Sequence, residues 1–271
     1  QTIANTSSLQ FDQEFGNTFF GTGDTLINAE TLMGLRGQAP HLVLESGDCL
    51  IYSEPQPEHE YIMTVDVSKG RGQDYSTFNV IDISERPFKQ VAVYRNNSIS
   101  PLLFPNIIYK YANLYNEAWV VVEANDQGAL VANGLYQDLE YENLHMESAI
   151  KADSIGVEMN RKIKRIGCSG IKDIIESGKL NIVDPQTIQE MSTFVAKGVS
   201  YEASEGNHDD LMMTLVMFGY FATGRNFEDL TNINLKEMMF EQRMKEIEND
   251  LVPFGWIDNG DPQVNLDAAI L

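Results

Sequence analysis

Residues 61–84 read YIMTVDVSKGRGQDYSTFNVIDIS. Two apolar runs of strand character, YIMTVDV and STFNVIDI, flank a polar turn, SKGRGQDY. Asp66 lies inside the first run, where an uncompensated carboxylate costs several kcal/mol. Working outward, KQVAVYRN (89–96) follows after another short connection and makes a third strand, so 61–96 predicts an antiparallel meander. Upstream, LVLESGDCLIYSEP (42–55) has the pattern of a β-hairpin around Ser46-Gly47-Asp48.

Downstream the periodicity changes. Residues 101–116 predict a helix, with Leu103, Ile107, Tyr111 and Leu114 at helical spacing and Pro101 near its start. WVVVEAN (119–125) reads as a strand buried on both faces, and 127–139 as a helix. Residues 161–180 form one helix or two short ones closed by Gly178. A short strand at 181–184, a helix at 185–197 opened by Pro185, and a weak strand at 198–204 come next. An almost wholly apolar helix begins near His208, and a charged amphipathic helix spans 234–250. Three meandering strands and then strand–helix alternation predict an α/β fold: a mixed sheet with helices on both faces. The expected organisation is an N-terminal segment at 1–60, a core at 61–230, and a C-terminal helix and tail at 231–271.

Composition narrows the function. The chain has 271 residues, 43% apolar and 22% charged, which fits a globular protein rather than a disordered or fibrous one. LMMTLVMFGYFATG (211–224) is too short to span a bilayer and reads as a buried helix, and the N-terminus lacks a signal-peptide pattern. Gln1 in place of an initiator methionine is expected of an excised domain or processed chain. Cys49 and Cys168 have no spacing of a disulfide framework or zinc site, so a reducing, cytoplasmic setting is the expectation. A net charge of −21 argues against a general nucleic-acid-coating protein, yet suits one that uses carboxylates to hold cations.

Carboxylates interrupt the most apolar elements at three places. Asp66 sits in IMTVDV, Glu123 ends WVVVE, and Asp209 and Asp210 open HDDLMMTLVMFGY. Taken singly, each has a plain explanation: a solvent-facing strand residue, a turn cap, or acids favouring a helix dipole behind an Asn207 N-cap. Taken together they predict a cluster, since three or four carboxylates at contact distance repel unless a cation neutralises them. Hard divalent ions, Mg²⁺ or Mn²⁺, are the matching partners, and two of them suit phosphodiester hydrolysis.

Asp66 with the following VSKGRGQDYS, then VVVEANDQG, then GNHDDLMMTLVMFGYF, resembles the nuclease domain of the large terminase subunit of T4-type tailed bacteriophages. FDQEFGNTFFGTG (11–23) also looks like the segment that follows the ATPase part in that family. The resemblance implies an RNase H-like fold, related to RuvC resolvases and retroviral integrases, and a metal-dependent endonuclease that cuts concatemeric phage DNA in headful packaging. It implies Asp66 as the central metal ligand, Glu123 as the second, and the Asp209–Asp210 pair as source of the third. Asp209 is favoured by an Asp-x-Leu pattern. Asp74 is a weaker candidate that also fits a turn residue, and His208 either polarises a ligand or only bonds a carboxylate. Implied partners are double-stranded DNA, an ATPase domain of the same polypeptide, the portal protein and the small terminase subunit, with no membrane, at the procapsid portal in the host cytoplasm. No G-x-x-x-x-G-K-[ST] occurs, so ATP hydrolysis is not expected of this chain alone.

DNA needs cations beside those carboxylates. Lys69 and Arg71 follow Asp66 in a turn whose Gly70 and Gly72 permit close backbone approach, and Arg161, Lys162, Lys164 and Arg165 form the one dense basic cluster, with Lys172 and Lys179 beyond it. RKIKR also fits a merely solvated helix face. Competing readings are a RuvC-like junction resolvase or transposase-like strand-transfer enzyme, an actin-like ATPase, and a non-enzymatic portal or motor docking module. The actin-like fold supplies two glycine-rich phosphate loops, and only one is found here.

Overall fold

In the computed structural model, which describes residues 24–147, 155–228 and 230–231, a one-turn helix α1 (Ala29–Gly34) precedes a hairpin. The hairpin strands are β1 (Leu42–Leu44) and β2 (Cys49–Ile51), joined by a tight turn in which Ser46 and Gly47 both have positive φ. The meander follows as β3 (Tyr61–Asp66), β4 (Ser76–Asp82) and β5 (Phe88–Asn96), paired antiparallel in order. β6 (Trp119–Val122) returns beside β3 in parallel, after a crossover through α2 (Phe104–Leu114). With β7 (Leu180–Asn181) added to β5, the result is a seven-stranded mixed sheet, β1-β2-β5-β4-β3-β6 along its main path.

Strand alternation divides the side chains between two layers. Met63, Val65, Phe78 and Val80 enter one core with α2 and with α3 (Gly128–Asn133), which continues as a π-turn to Asp138. On the other face lies α6 (Asp210–Phe221), packed on β3 and β4 and flanked by α4 (Arg161–Glu176) and α5 (Pro185–Thr193). Every α6 residue from Leu211 to Gly219 is buried, which is why the sequence there is apolar all round. Among the described residues no helix is long and apolar enough to cross a membrane. The α/β architecture with helices on both sheet faces is as the sequence predicts. By compactness the chain divides into Gln1–Glu228 and Asp229–Leu271, and these elements all belong to the first unit. The helix expected at 234–250 and the 11–23 segment lie outside the described residues.

Several boundaries differ from the sequence reading. Helix α2 starts at Phe104, not near Pro101, because Pro105 has no N–H to give and fits the first turn. Its buried side is Phe104, Ile108, Tyr111 and Ala112, while Leu103 and Leu114 are exposed. Helix α5 ends at Thr193, four residues before the expected end. Phe194–Lys197 instead forms β8, which pairs with β9 (Ser200–Ala203) across a Gly198 turn of positive φ. Cys49 and Cys168 are buried free thiols.

Helices α4 and α6 pass so closely that glycine is required. A Cβ at Gly219 would stand 2.5 Å from both the Gly167 carbonyl oxygen and the Ile171 amide nitrogen. Gly219→Ala should therefore destabilise the fold by about 1–3 kcal/mol, the usual cost of overpacking, as read by urea unfolding. A variant as stable as the parent would show that α4 yields freely.

Candidate active site

Register places the first two carboxylates. Val65 and Val122 are partners in the parallel β3–β6 ladder, and the Glu123 amide extends it by donating to the Val65 carbonyl at 2.9 Å. Asp66 and Glu123 therefore stand side by side at the carboxyl ends of adjacent parallel strands, on the sheet face that carries α6. Ligand crevices in open α/β sheets form at such strand ends. Gly128 locks the turn after Glu123, since a Cβ there would collide with the Glu123 carbonyl. The other two acids come from α6. Thr77, opposite Asp66, donates its hydroxyl to the Asp210 carbonyl at 3.2 Å. Asn79 donates to the Leu211 carbonyl at 3.4 Å and to the Thr214 hydroxyl at 2.6 Å, fixing the start of α6 over β4.

The electrostatics record this convergence. Burial first, then the charges of Glu123, Asp210 and Asp209, hold the Asp66 carboxyl well above the usual carboxylate range. Burial also raises Glu123, against a hydrogen bond with Asp66 and the charge of Lys164, with Asp209 and Asp126 adding to the rise. Asp210 is pushed up to about 6, chiefly by burial, although the Tyr75 amide donates to it and His208 lies near. Its Oδ2 is buried with no hydrogen-bond partner and lies 3.7 Å from His208 Nδ1. Asp209 is the N-cap of α6 but makes no side-chain cap bond; its Oδ2 accepts from the Ala203 amide at 3.3 Å. The expected Asn207 cap is replaced: Asn207 bonds Ser204, and the Leu211 and Met212 amides donate to Glu190 Oε2 at 2.7 and 3.1 Å.

Among the described residues no three His, Cys, Asp or Glu side chains are closed up tightly enough to hold a metal ion. The donor set nevertheless fits a hard divalent cation. All its donors are carboxylate oxygens, two of the acids sit at raised pKa against each other, and a third presents an unpartnered buried oxygen.

The weaker candidates fall around this centre. Asp74 is exposed on the β3–β4 connection, where its charge adds to the repulsion on Asp210; among the described residues no hydrogen bond ties its carboxylate to the turn. Ser68 and Ser76 brace that connection instead, with the Ser68 amide donating to Ser76 Oγ at 3.1 Å. Gly70, expected to let the backbone approach a ligand, serves an internal approach, since a Cβ there would strike the Ile99 carbonyl. His208 stacks edge-on against Tyr75, with ring centroids 5.1 Å apart.

Of the basic residues, Lys69 reaches Asp126 at 3.7 Å beside the Glu123 turn, and Arg71 is exposed. Arg161, Lys164, Arg165 and Lys172 line one cleft of about 910 Å³ between α4 and the β8–β9 hairpin, together with Lys197. Lys162 does not line it. Lys164 is the member whose charge reaches Glu123. Lys179 pairs with Asp173 at 3.4 Å, away from the cleft.

Sequence reading missed Glu190, Arg95 and Tyr75. Glu190 is buried, with its carboxyl raised to about 8 chiefly by burial. Its signal was available: it sits within the apolar stripe of α5, among Thr187, Ile188 and Met191. Arg95 lies over the Tyr75 ring, 3.3 Å from its centroid, and its Nε is 3.6 Å from Glu190 Oε1.

A carboxyl whose folded pKa exceeds its unfolded value costs stability once ionised in both states. For Asp210, pushed up to about 6, the folded chain holds a proton that the unfolded chain has lost, so stability falls as pH rises from about 4 through 6, and Asp66 acts in the same direction. Buried His145, pushed down to about 4, works in the opposite sense between pH 4 and 6.5, so the test compares variants at each pH. In chelator at pH 8, Asp66→Asn should be more stable than wild type, and the gain should fade towards pH 4. Equal or lower stability at pH 8 in thermal unfolding would contradict the repulsion.

A family model described as "Terminase RNaseH-like domain" matches residues 63–218. Among solved structures, the large terminase nuclease of thermophilic phage G20c with bound magnesium is similar at 19% identity and TM-score 0.59, over 74% of this chain and 98% of that one. The cobalt-bound form of the same nuclease gives 20% identity and TM-score 0.59 over the same shares. The Thermus phage P74-26 large terminase nuclease domain gives 20% and 0.53, over 69% of this chain and 90% of that one. At such identities the likeness establishes a common fold. Since the family match spans more than half of the chain and contains Asp66, Glu123 and the α6 acids, this protein belongs to the terminase RNase H-like domain family.

Proposed function

We propose that this domain is the DNA-cutting nuclease of a viral packaging motor: a Mg²⁺- or Mn²⁺-dependent endodeoxyribonuclease that cleaves concatemeric genomes in headful packaging, as in T4-type tailed phages. The observation that supports this reading is that Asp66 and Glu123 stand side by side at the carboxyl ends of β3 and β6, with the charges of Asp209 and Asp210 near enough to act on Asp66. The magnesium and cobalt in the similar nuclease structures support the same choice of ion class.

In this reading Asp66 would be the central metal ligand, Glu123 the second, and Asp209 or Asp210 would supply the third. Asp74 and His208 act at most outside the ligand set, His208 by steadying Asp210. When bound, the ions supply an activated water and neutralise charge on the leaving oxygen. The chain's own residues hold and orient the substrate. Lys164 and its neighbours in the α4 cleft, with Lys69 near Asp126, attract phosphates and offset a net charge of −21. Such contacts fix the duplex without reading its sequence. The partners are then double-stranded DNA, an ATPase domain of the same polypeptide, the portal protein and the small terminase subunit, at the procapsid portal in the host cytoplasm.

Supercoiled plasmid incubated with Mg²⁺ or Mn²⁺ should be nicked and linearised, and chelator should abolish this. Asp66→Asn should lower the rate on the order of a hundredfold or more. Intact cleavage by that variant would remove the site from the account. No metal-dependent nicking at any protein concentration would leave the docking role, and strong preference for four-way junctions would turn the reading to a resolvase. Lys164→Ala and Arg165→Ala should each weaken binding to all duplexes alike and reduce the slope of log K against log salt by about 1. An unchanged slope would place the DNA elsewhere.

A further inference from the structure

Helix α6 begins with two acids that do not cap it. Its first amides need acceptors, and an N-cap Asp ordinarily provides one by folding its carboxylate back onto the second or third residue of the helix. Had Asp209 done so, its carboxylate would turn back onto its own helix. Instead Glu190, from α5, fills that role: a single oxygen accepts both the Leu211 and Met212 amides, at 2.7 and 3.1 Å, on a residue only 2% exposed. Asp209 is left to bond Ala203, and the Asp210 Oδ2 is left without a hydrogen bond, aimed at the His208 side. The Arg95 Nε lies 3.6 Å from the other oxygen, Glu190 Oε1, without a hydrogen bond, and Arg95 is itself held over the Tyr75 ring.

We infer that Glu190 is a positioning residue: by supplying the cap of α6 from another helix, it frees the carboxylates of Asp209 and Asp210 for the cation site. The inference rests on the nuclease reading above. A plain structural role would need only bulk and helix stability; a positioning role needs an acceptor oxygen at that point. Glu190→Gln keeps an acceptor in the same volume, Glu190→Met keeps the volume without an acceptor, and Glu190→Asp keeps the carboxyl but withdraws the acceptor by one methylene.

The test is Mn²⁺ binding by calorimetry on the full 271-residue chain, with circular dichroism to confirm folding, alongside plasmid cleavage. Glu190→Gln should bind Mn²⁺ within about threefold of wild type, whereas Glu190→Met and Glu190→Asp should bind at least about tenfold more weakly, the range found for residues that orient metal ligands. A folded Met or Asp variant with wild-type affinity overturns the inference. So does a Gln variant that loses as much as the others, an outcome readable even if the Met variant does not fold. Failure of the wild-type chain to bind Mn²⁺ or to cleave would instead sink the nuclease reading, and the two failures are thus distinct.

Discussion

Everything in this structure answers to the repulsion among carboxylates gathered at one end of the sheet. Asp66 and Glu123 come from adjacent parallel strands, and Asp209 and Asp210 arrive on the N-terminus of α6. Left alone these groups would separate or stay protonated, and the raised pKa values of Asp66, Glu123 and Asp210 express that tension. The scaffold overrides it by packing. Leu211, Met212, Leu215, Val216, Met217 and Phe218 are fully buried, and each such side chain contributes about 1.5–3 kcal/mol. The close α4–α6 crossing through Gly167 and Gly219 then leaves α6 little freedom to slide away.

The polar network beneath α6 sets its position rather than adding much stability. Asn79 ties the first turn of α6 to β4, and Gln90 donates to Asn79 at 2.6 Å and to Thr187 at 3.1 Å. Gln90 in turn accepts from the Val183 and Asp184 amides, and Asp184 caps α5 through Thr187. The chain of bonds runs from sheet to α5 to α6. Buried and almost fully satisfied, such a network specifies one arrangement and penalises shifts that would leave a member unpaired.

Much of this was legible in the sequence for a physical reason. Asp66, Glu123 and Asp209–Asp210 stand out because each interrupts an apolar element, and the meander follows from short polar turns between alternating runs. What was not legible depends on tertiary partners. PQTIQEMSTFVAK carries helical propensity throughout, yet Phe194–Lys197 becomes a strand, because its Phe194 carbonyl accepts from the Leu26 amide and its Ala196 amide donates to Asp24. Asn207 has the sequence of an N-cap and lost the role to Glu190, a residue on a different helix. The basic run RKIKR gave no clue that Lys162 would leave the cleft that its neighbours line. Residues at 11–23 and 234–250 lie outside the described part of the molecule.

In the proposed function these carboxylates hold a cation. Diffraction from Mn²⁺-soaked crystals, collected where manganese scatters anomalously, addresses this without relying on activity. Anomalous density bounded by Asp66, Glu123 and a carboxylate of the Asp209–Asp210 pair is the expected result. Ordered manganese bound elsewhere, with these acids still bonded only to their own chain at saturating metal, would contradict it.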